Sequence, residues 1–273
     1  MPLPLDTSGT QRGPPCDAGG ARGVVTPMSN LPQYVNLPDR RASRYSRPIT
    51  GCRRFAVGDV HGCLKTLRTL VEEVLRLEKD DGLFLLGDYI DRGPDSPGVL
   101  EYLLSLLAAG YDVRPLMGNH EEMLRRAASD PFVRKIWLGN GGDLTLQQFG
   151  VDSSAQIPRR YLDFMAGLPH LLTTDDYVFV HAGLDFLTDN PVTDTTEDFM
   201  LWERNWNFLP EKLAGKTLVC GHTITPLVEI RASLQSPAIF LDNGCFAKGE
   251  AGYGSLVALN LDTRKLLVQE NCD

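Results

Sequence analysis

Phe55-Ala-Val-Gly-Asp-Val-His-Gly62, Leu83-Phe-Leu-Leu-Gly-Asp-Tyr-Ile-Asp-Arg-Gly93 and Val113-Arg-Pro-Leu-Met-Gly-Asn-His-Glu121 share one layout. Each is a short, mainly apolar run that stops at a glycine followed by polar residues. Runs of this length bounded by turn signals read as buried strands. Between the first two, Leu64, Leu67, Leu70, Val71, Val74, Leu75 and Leu77 recur at helical spacing and predict an amphipathic helix over 63–78. Pro97 to Ala109 reads as a second helix, with Pro97 in its first turn and Gly110 just past its end. A further helix starts at Glu121. The order β-α-β-α-β, at a step of about 30 residues, is the size of a right-handed parallel crossover unit.

Outward from this unit, residues 131–170 read as mainly helical, with Gly141-Gly142 as a break. Strand signals then dominate at Tyr177 to Val180, Thr217 to Cys220, Ala238 to Leu241, Ser255 to Leu261 and Lys265 to Gln269. The expectation is one α/β domain with mixed sheets over residues 51–273. Residues 1–50 differ in texture. They hold eight of the 18 Pro, five Gly and no apolar period, which predicts a poorly ordered N-terminal extension. Six Arg against three Asp put that segment at +3, so the net charge of −8 conceals a value of −11 for the rest.

Composition narrows the class. Hydrophobic residues at 42% and charged residues at 23% are globular values. No apolar run reaches the ~18 residues of a membrane span. The acidic balance argues against a nucleic-acid or anionic-membrane partner. Six scattered Cys without a C-x-x-C pair, and no export signal, predict reduced, packed thiols and a cytoplasmic protein.

In open α/β sheets ligands sit beyond the carboxyl ends of the strands. The first three strands deliver Asp59, His61, Asp88, Asp91, Arg92, Asn119 and His120 to that rim, and two later strands add His181 and His222. Imidazole and carboxylate donors suit divalent metals. A carboxylate such as Asp88 can bridge two ions ~3.5–4 Å apart, a pair that activates water and clamps a phosphoryl group. Arg92 offers a fork for phosphate oxygens, and Asp91 can orient a neighbouring imidazole as a general acid. Singly, each feature is commonplace in a turn or on a surface. Jointly, four of the five His (61, 120, 181, 222) fall beside Gly at strand ends, while His170 is left structural.

G-D-x-H-G, G-D-x-x-D-R-G and G-N-H-E in this order, followed by two separate His, resemble the phosphoprotein phosphatase (PPP) family of calcineurin-like metallophosphoesterases, and within it the bacterial-type serine/threonine protein phosphatases. The resemblance covers roughly residues 54–262. It implies a four-layer αββα sandwich of two mixed sheets flanked by helices. It implies two divalent metals (Mn, with Fe, Zn or Co as alternatives), the first on Asp59, His61 and Asp88, the second on Asp88, Asn119, His181 and His222. A dimetal-bridging hydroxide would attack in line, with His120 as general acid, Asp91 as its carboxylate partner and Arg92 on the substrate phosphate. Trp202-Glu203-Arg204 is similar to a W-x-R segment and makes Arg204 a second phosphate-binding candidate.

Many members carry Arg before G-N-H-E, where this chain has Met117, so a cationic phosphate contact is missing there. No aromatic of Cys245 to Tyr253 equates with the family's substrate-groove tyrosine. Dinucleotide polyphosphatases of the same fold tend to have Ala in place of Asp91 and Asp in place of Glu121. Both positions predict the protein phosphatase branch, acting on phosphoserine or phosphothreonine, with phosphotyrosine as an open alternative and a phosphoprotein or phosphopeptide as partner. A symmetrical diadenosine tetraphosphate hydrolase is the alternative. A non-catalytic binding protein is disfavoured because no ligand or acid is lost.

Overall fold

The computed structural model describes residues 53–205 and 207–273 together with the backbone of Ser43–Arg44. The expected extension over 1–50 and its boundary therefore lie almost wholly outside the described residues. Among the described residues ten strands form two five-stranded mixed sheets. The first has the order β10 (Lys265–Glu270), β9 (Ser255–Asn260), β2 (Arg54–Val57), β3 (Gly82–Leu85), β4 (Asp112–Pro115). Here β2, β3 and β4 are parallel, and β9 runs antiparallel to both β2 and β10. The second has the order β1 (Ser43–Arg44), β5 (Leu171–Thr173), β6 (Tyr177–Val180), β7 (Thr217–Cys220), β8 (Ala238–Phe240), with β6, β7 and β8 parallel.

Side chains on a strand alternate faces, and this period builds the layers. Phe55, Val57, Leu83 and Leu85 face the helices α1 (Leu64–Thr69), α2 (Ser96–Ala108), α3 (Asn119–Ala127), α4 (Pro131–Trp137), α5 (Asp143–Phe149) and α6 (Arg159–Ala166). Ala56, Phe84 and Leu86 point the other way. They meet Tyr177, Phe179, Val219 and Ile239 of the second sheet in a core between the sheets, where Phe84 stacks on Phe179 at 4.3 Å. Val178, Val180, Leu218 and Cys220 turn outward beneath Phe186, Leu213 and Met200, the last on α8 (Glu197–Trp202), which follows the single turn α7 (Pro191–Asp194). The central strands β3 and β6 are apolar throughout because both faces are covered. This is the expected sandwich of two mixed sheets flanked by helices.

Local signals explain the helix ends. Asp95 caps α2 by accepting from the Gly98 N–H (2.8 Å), and Pro97 sits in the first turn. Gly141 takes φ +103° between α4 and α5, the break its sequence predicts. The single helix expected over 63–78 is shorter. After α1 it continues as a π turn over Leu70–Val74 and stops near Arg76, whose φ is +48°. Cys63, Cys220 and Cys245 are free and buried, as expected, but Cys272 is disulfide-bonded. No helix among the described residues is long and apolar enough to cross a membrane.

Candidate active site

Loops after β2, β3, β4, β6 and β7 converge on one rim. The first two are stitched together: the N–H groups of Val60 and His61 both donate to the Asp88 carbonyl (3.0 and 2.8 Å). Buried Glu121 ties the second to the third. Its carboxylate accepts from the N–H groups of Asp88 (2.9 Å), Tyr89 (2.8 Å), Ile90 (3.3 Å) and Gly118 (3.1 Å). Burial, then the nearby Asp88, pushes the Glu121 carboxyl up to about 8. Glu121→Ala leaves those buried donors without an acceptor. The expected loss is about 3 kcal/mol of unfolding free energy, read as a lowered urea midpoint.

The rim is built from unusual backbone. Among the described residues eight non-glycine residues have positive φ, and five belong to this site: His61, Asp88, Asp91, Arg92 and His222. Each such conformation costs of order 1–3 kcal/mol and is retained where geometry serves function. Two glycines let site carboxylates approach the backbone closely. A Cβ on Gly118 would lie 2.2 Å from Asp88 Oδ1, and one on Gly221 would lie 2.1 Å from Asp59 Oδ1.

Two triads of buried donors could each hold a metal ion: His61, Asp88 and His120, and Asp88, His181 and His222. Asp88 belongs to both. Its Oδ2 lies 3.5 Å from His61 Nε2, and its Oδ1 lies 3.5 Å from His181 Nε2. The tautomers are fixed from behind: His61 Nδ1 is 3.0 Å from the Ile90 carbonyl, and His181 Nδ1 is 2.7 Å from the Leu86 carbonyl. With Nδ1 protonated, each Nε2 presents a lone pair: that of His61 meets the Arg92 guanidinium (2.8 Å) beside Asp88 Oδ2, and that of His181 faces oxygen atoms. His181 Nε2 lies 2.8 Å from Asn119 Oδ1, and His222 Nδ1 lies 2.9 Å from the same atom. The His181 Nε2 lone pair set against the Asn119 and Asp88 oxygens is repelled unless a cation lies between them. His222 Nε2 and Asp242 Oδ2 are also buried without a hydrogen-bond partner. The donor set therefore fits divalent metal ions.

The electrostatics agree. Burial first, with neighbouring imidazoles behind it, pushes His61, His181 and His222 toward the neutral, ligating form, His222 to about 3. Burial raises the Asp88 carboxyl, but the surrounding imidazoles outweigh it and hold the group below the usual carboxylate range. Asp59 accepts from the His222 N–H with both oxygens (3.2 and 3.1 Å), and burial raises its pKa. It thus joins the set through His222, while His120 stands nearer to His61 and Asp88.

His120 is oriented from behind. Its Nδ1 lies 2.6 Å from Asp91 Oδ2, and its Nε2 opens toward Asp88 Oδ2 at 3.9 Å. Asp91 is fully buried and also accepts from Trp137 Nε1 (2.8 Å) and Thr145 Oγ1 (2.6 Å). Burial alone would depress His120; Asp88 and Asp91 reverse this and raise its pKa. Arg92 donates to His61 Nε2 at 2.8 Å, and its guanidinium lies 4.8 Å from the centre of the Phe246 ring. Arg204 is exposed and near enough to depress His181 and His222. Trp202 meets His222 edge-on at 6.4 Å. His170 lies apart, 3.6 Å from Glu197.

All the expected site residues thus gather at one rim. Sequence reasoning missed Asp242, which is buried beyond β8 in the field of Asp59 and Asp88 and is raised to about 6, chiefly by burial. The strand-end rule that found the others would have found it. It also missed Trp137 and Thr145, which fix Asp91, and Phe246 beneath Arg92.

Fold and site define a metallophosphoesterase. Residues 53–240 match the calcineurin-like phosphoesterase family, and the chain belongs to it. The symmetrical bis(5'-nucleosyl)-tetraphosphatase of Pectobacterium atrosepticum is 46% identical over 188 residues, which is 69% of this chain and 53% of that protein. The protein of the same name from Hamiltonella defensa is 30% identical over 71% of this chain and 68% of its own. Serine/threonine-protein phosphatase 1 of Salmonella typhimurium is 41% identical over 91 residues, 33% of this chain and 38% of that one. A solved structure provisionally assigned as a diadenosine tetraphosphatase shares the fold, with a TM-score of 0.53 and 22% identity over 81% of this chain and 95% of its own. The match spans about half the length of the Pectobacterium protein.

These relatives correct the protein phosphatase expectation and the phosphoprotein or phosphopeptide partner that went with it. The long matches carry the tetraphosphatase name, and the protein phosphatase match covers a third of the chain. The physical reason lies in Asp91 and Glu121. Both carboxylates are filled by groups of the chain itself, the one by His120, Trp137 and Thr145, the other by four backbone N–H groups. With their oxygens engaged inside the chain, they hold the frame of the site.

Proposed function

We propose that this protein hydrolyses dinucleoside tetraphosphates symmetrically. Water adds at one of the two central phosphorus atoms, the central P–O–P bridge breaks, and two nucleoside diphosphates leave. The observation that carries this reading is the 46% identity over 69% of the chain to a symmetrical tetraphosphatase, joined to a rim that gathers the donors for divalent metal. Asp59, His61 and Asp88 would hold one ion, and Asp88, Asn119, His181 and His222 the other, with manganese our assignment. When bound, such ions activate water and stabilise phosphoryl charge.

The chain's own groups do the rest. Arg92 and Arg204 bind phosphate oxygens from two sides of the rim. His120 donates from Nε2 to the departing diphosphate, and Asp91 holds its Nδ1–H so that Nε2 faces the substrate. Asp242 adds buried negative charge that favours a cationic centre. The test is a substrate panel in added Mn2+. Dinucleoside tetraphosphate is expected to exceed phosphoserine, phosphothreonine and phosphotyrosine peptides by about 100-fold in kcat/KM. Faster turnover of any of these phosphopeptides would overturn the reading.

A further inference from the structure

A cavity lies beside the catalytic rim. Its volume is about 460 Å3, within the range of small-ligand sites. Its walls come from α3, α4 and α8, with Met123, Phe132, Val133, Ile136 and Trp202 as the apolar lining and Arg126 at the margin. Phe132 is 72% exposed and Trp202 is 40% exposed. Large aromatic rings left this open within one concavity mark a binding surface.

We propose that this groove holds the base and ribose of the nucleotide next to the scissile phosphate. The proposal rests on the dinucleotide reading for its choice of occupant. Three observations carry it. The groove is continuous with the catalytic rim through Trp202, which lines it and meets His222 edge-on at 6.4 Å. It is also continuous through α3, which begins with Asn119 and His120 and reaches Arg126 about 9 Å further along at 1.5 Å per residue. In a symmetrically cleaved tetraphosphate, the base stands off the attacked phosphorus by one phosphate and a ribose, a reach of similar order.

The second observation is charge. The carboxylates around the groove are already engaged: Glu122 with Arg125 (2.6 Å), Asp130 with the N-terminal N–H groups of α4, and Asp198 with Arg126 (3.7 Å). The walls are thus aromatic and aliphatic with partnered rims, which suits an uncharged planar base. The third is the chemistry of the rings. Aromatic side chains stack on any base through its π-face, and an Arg at the edge supplies planar N–H donors to ring nitrogens and carbonyls.

Calorimetric titration of the Mn2+-loaded protein with adenosine 5'-diphosphate and, separately, with pyrophosphate tests this without turnover. Wild type is expected to bind the nucleotide more tightly than pyrophosphate. Phe132→Ala is expected to shrink that ratio about tenfold, Trp202→Ala to shrink it too, and Phe132→Tyr to retain it. Exposed Phe132 tolerates these changes without loss of fold. Equal wild-type affinity for the two probes, or an unaltered ratio in Phe132→Ala, would overturn the proposal. So would a phosphopeptide whose binding depends on Phe132 while that of the nucleotide does not. Nucleotide binding through Phe132 with no hydrolysis of dinucleoside tetraphosphate would leave the groove standing and remove the proposed activity.

Discussion

Asp88→Asn is expected to lower turnover by about 10^3-fold and to reduce the metal content of the purified protein. Asp88 is the carboxylate shared by the two donor triads. Its Oδ1 accepts from the His120 N–H at 3.0 Å and faces His181, while its Oδ2 faces His61. An amide removes the charge that balances the ions and puts an N–H2 where a lone pair was needed. The stabilisation lost is several kcal/mol of phosphoryl charge, which sets the magnitude. Asn tolerates the left-handed backbone that Asp88 adopts at φ +52°. The variant should therefore fold, and its circular dichroism should match wild type. Full metal content with wild-type turnover would show that Asp88 is not the shared donor.

His120→Asn is expected to divide substrates by their leaving group. An alkoxide is a poor leaving group, and losing its proton donor costs about 10^2–10^4-fold. A departing phosphate group titrates with a second pKa of about 6 and needs far less help, so the same variant should lose about tenfold or less on dinucleoside tetraphosphate. The pH dependence has a defined sign. The His120 pKa lies above 6.5, so the acid form persists past the ordinary imidazole range and is lost as pH rises through the raised value. Wild-type hydrolysis of an alkyl phosphate should fall along that alkaline limb, and His120→Asn should lack it. Equal losses on both substrates would assign His120 to binding or positioning and not to proton donation.

The legible parts of the fold were those whose physics is local. The strands over Tyr177–Val180 and Thr217–Cys220 lie where their apolar runs predict, because a parallel strand covered on both faces has no polar position to blur it. The strand Leu171–Thr173 is three residues long and follows Pro169-His170, too short to show a period. The helices Glu197–Trp202 and Leu227–Ser233 are held by tertiary packing of single residues such as Met200 and Ile230. The candidate metal-holding residues were legible because each stands at a strand end with a glycine close by. Asp242 also stands at a strand end, two residues before Gly244, and was passed over.

The substrate was not legible from Asp91 and Glu121. Their spacing is a property of the loops, and both side chains are consumed inside the chain. The residues argued to face the nucleoside, Phe132 and Trp202, sit on helices distant in sequence. Nothing in their local pattern says they share a cavity. Exposed aromatics carry no periodic signature; only the packing of α3, α4 and α8 brings them together.

Entry of water at the middle of a dinucleoside tetraphosphate, as proposed, fixes the products. Chromatographic analysis of the products of diadenosine tetraphosphate hydrolysis in Mn2+ tests it most directly. Adenosine 5'-diphosphate is expected as the sole nucleotide product, two molecules for each substrate consumed. Adenosine triphosphate and monophosphate in equal amounts, or an untouched tetraphosphate beside a dephosphorylated phosphopeptide, would contradict it.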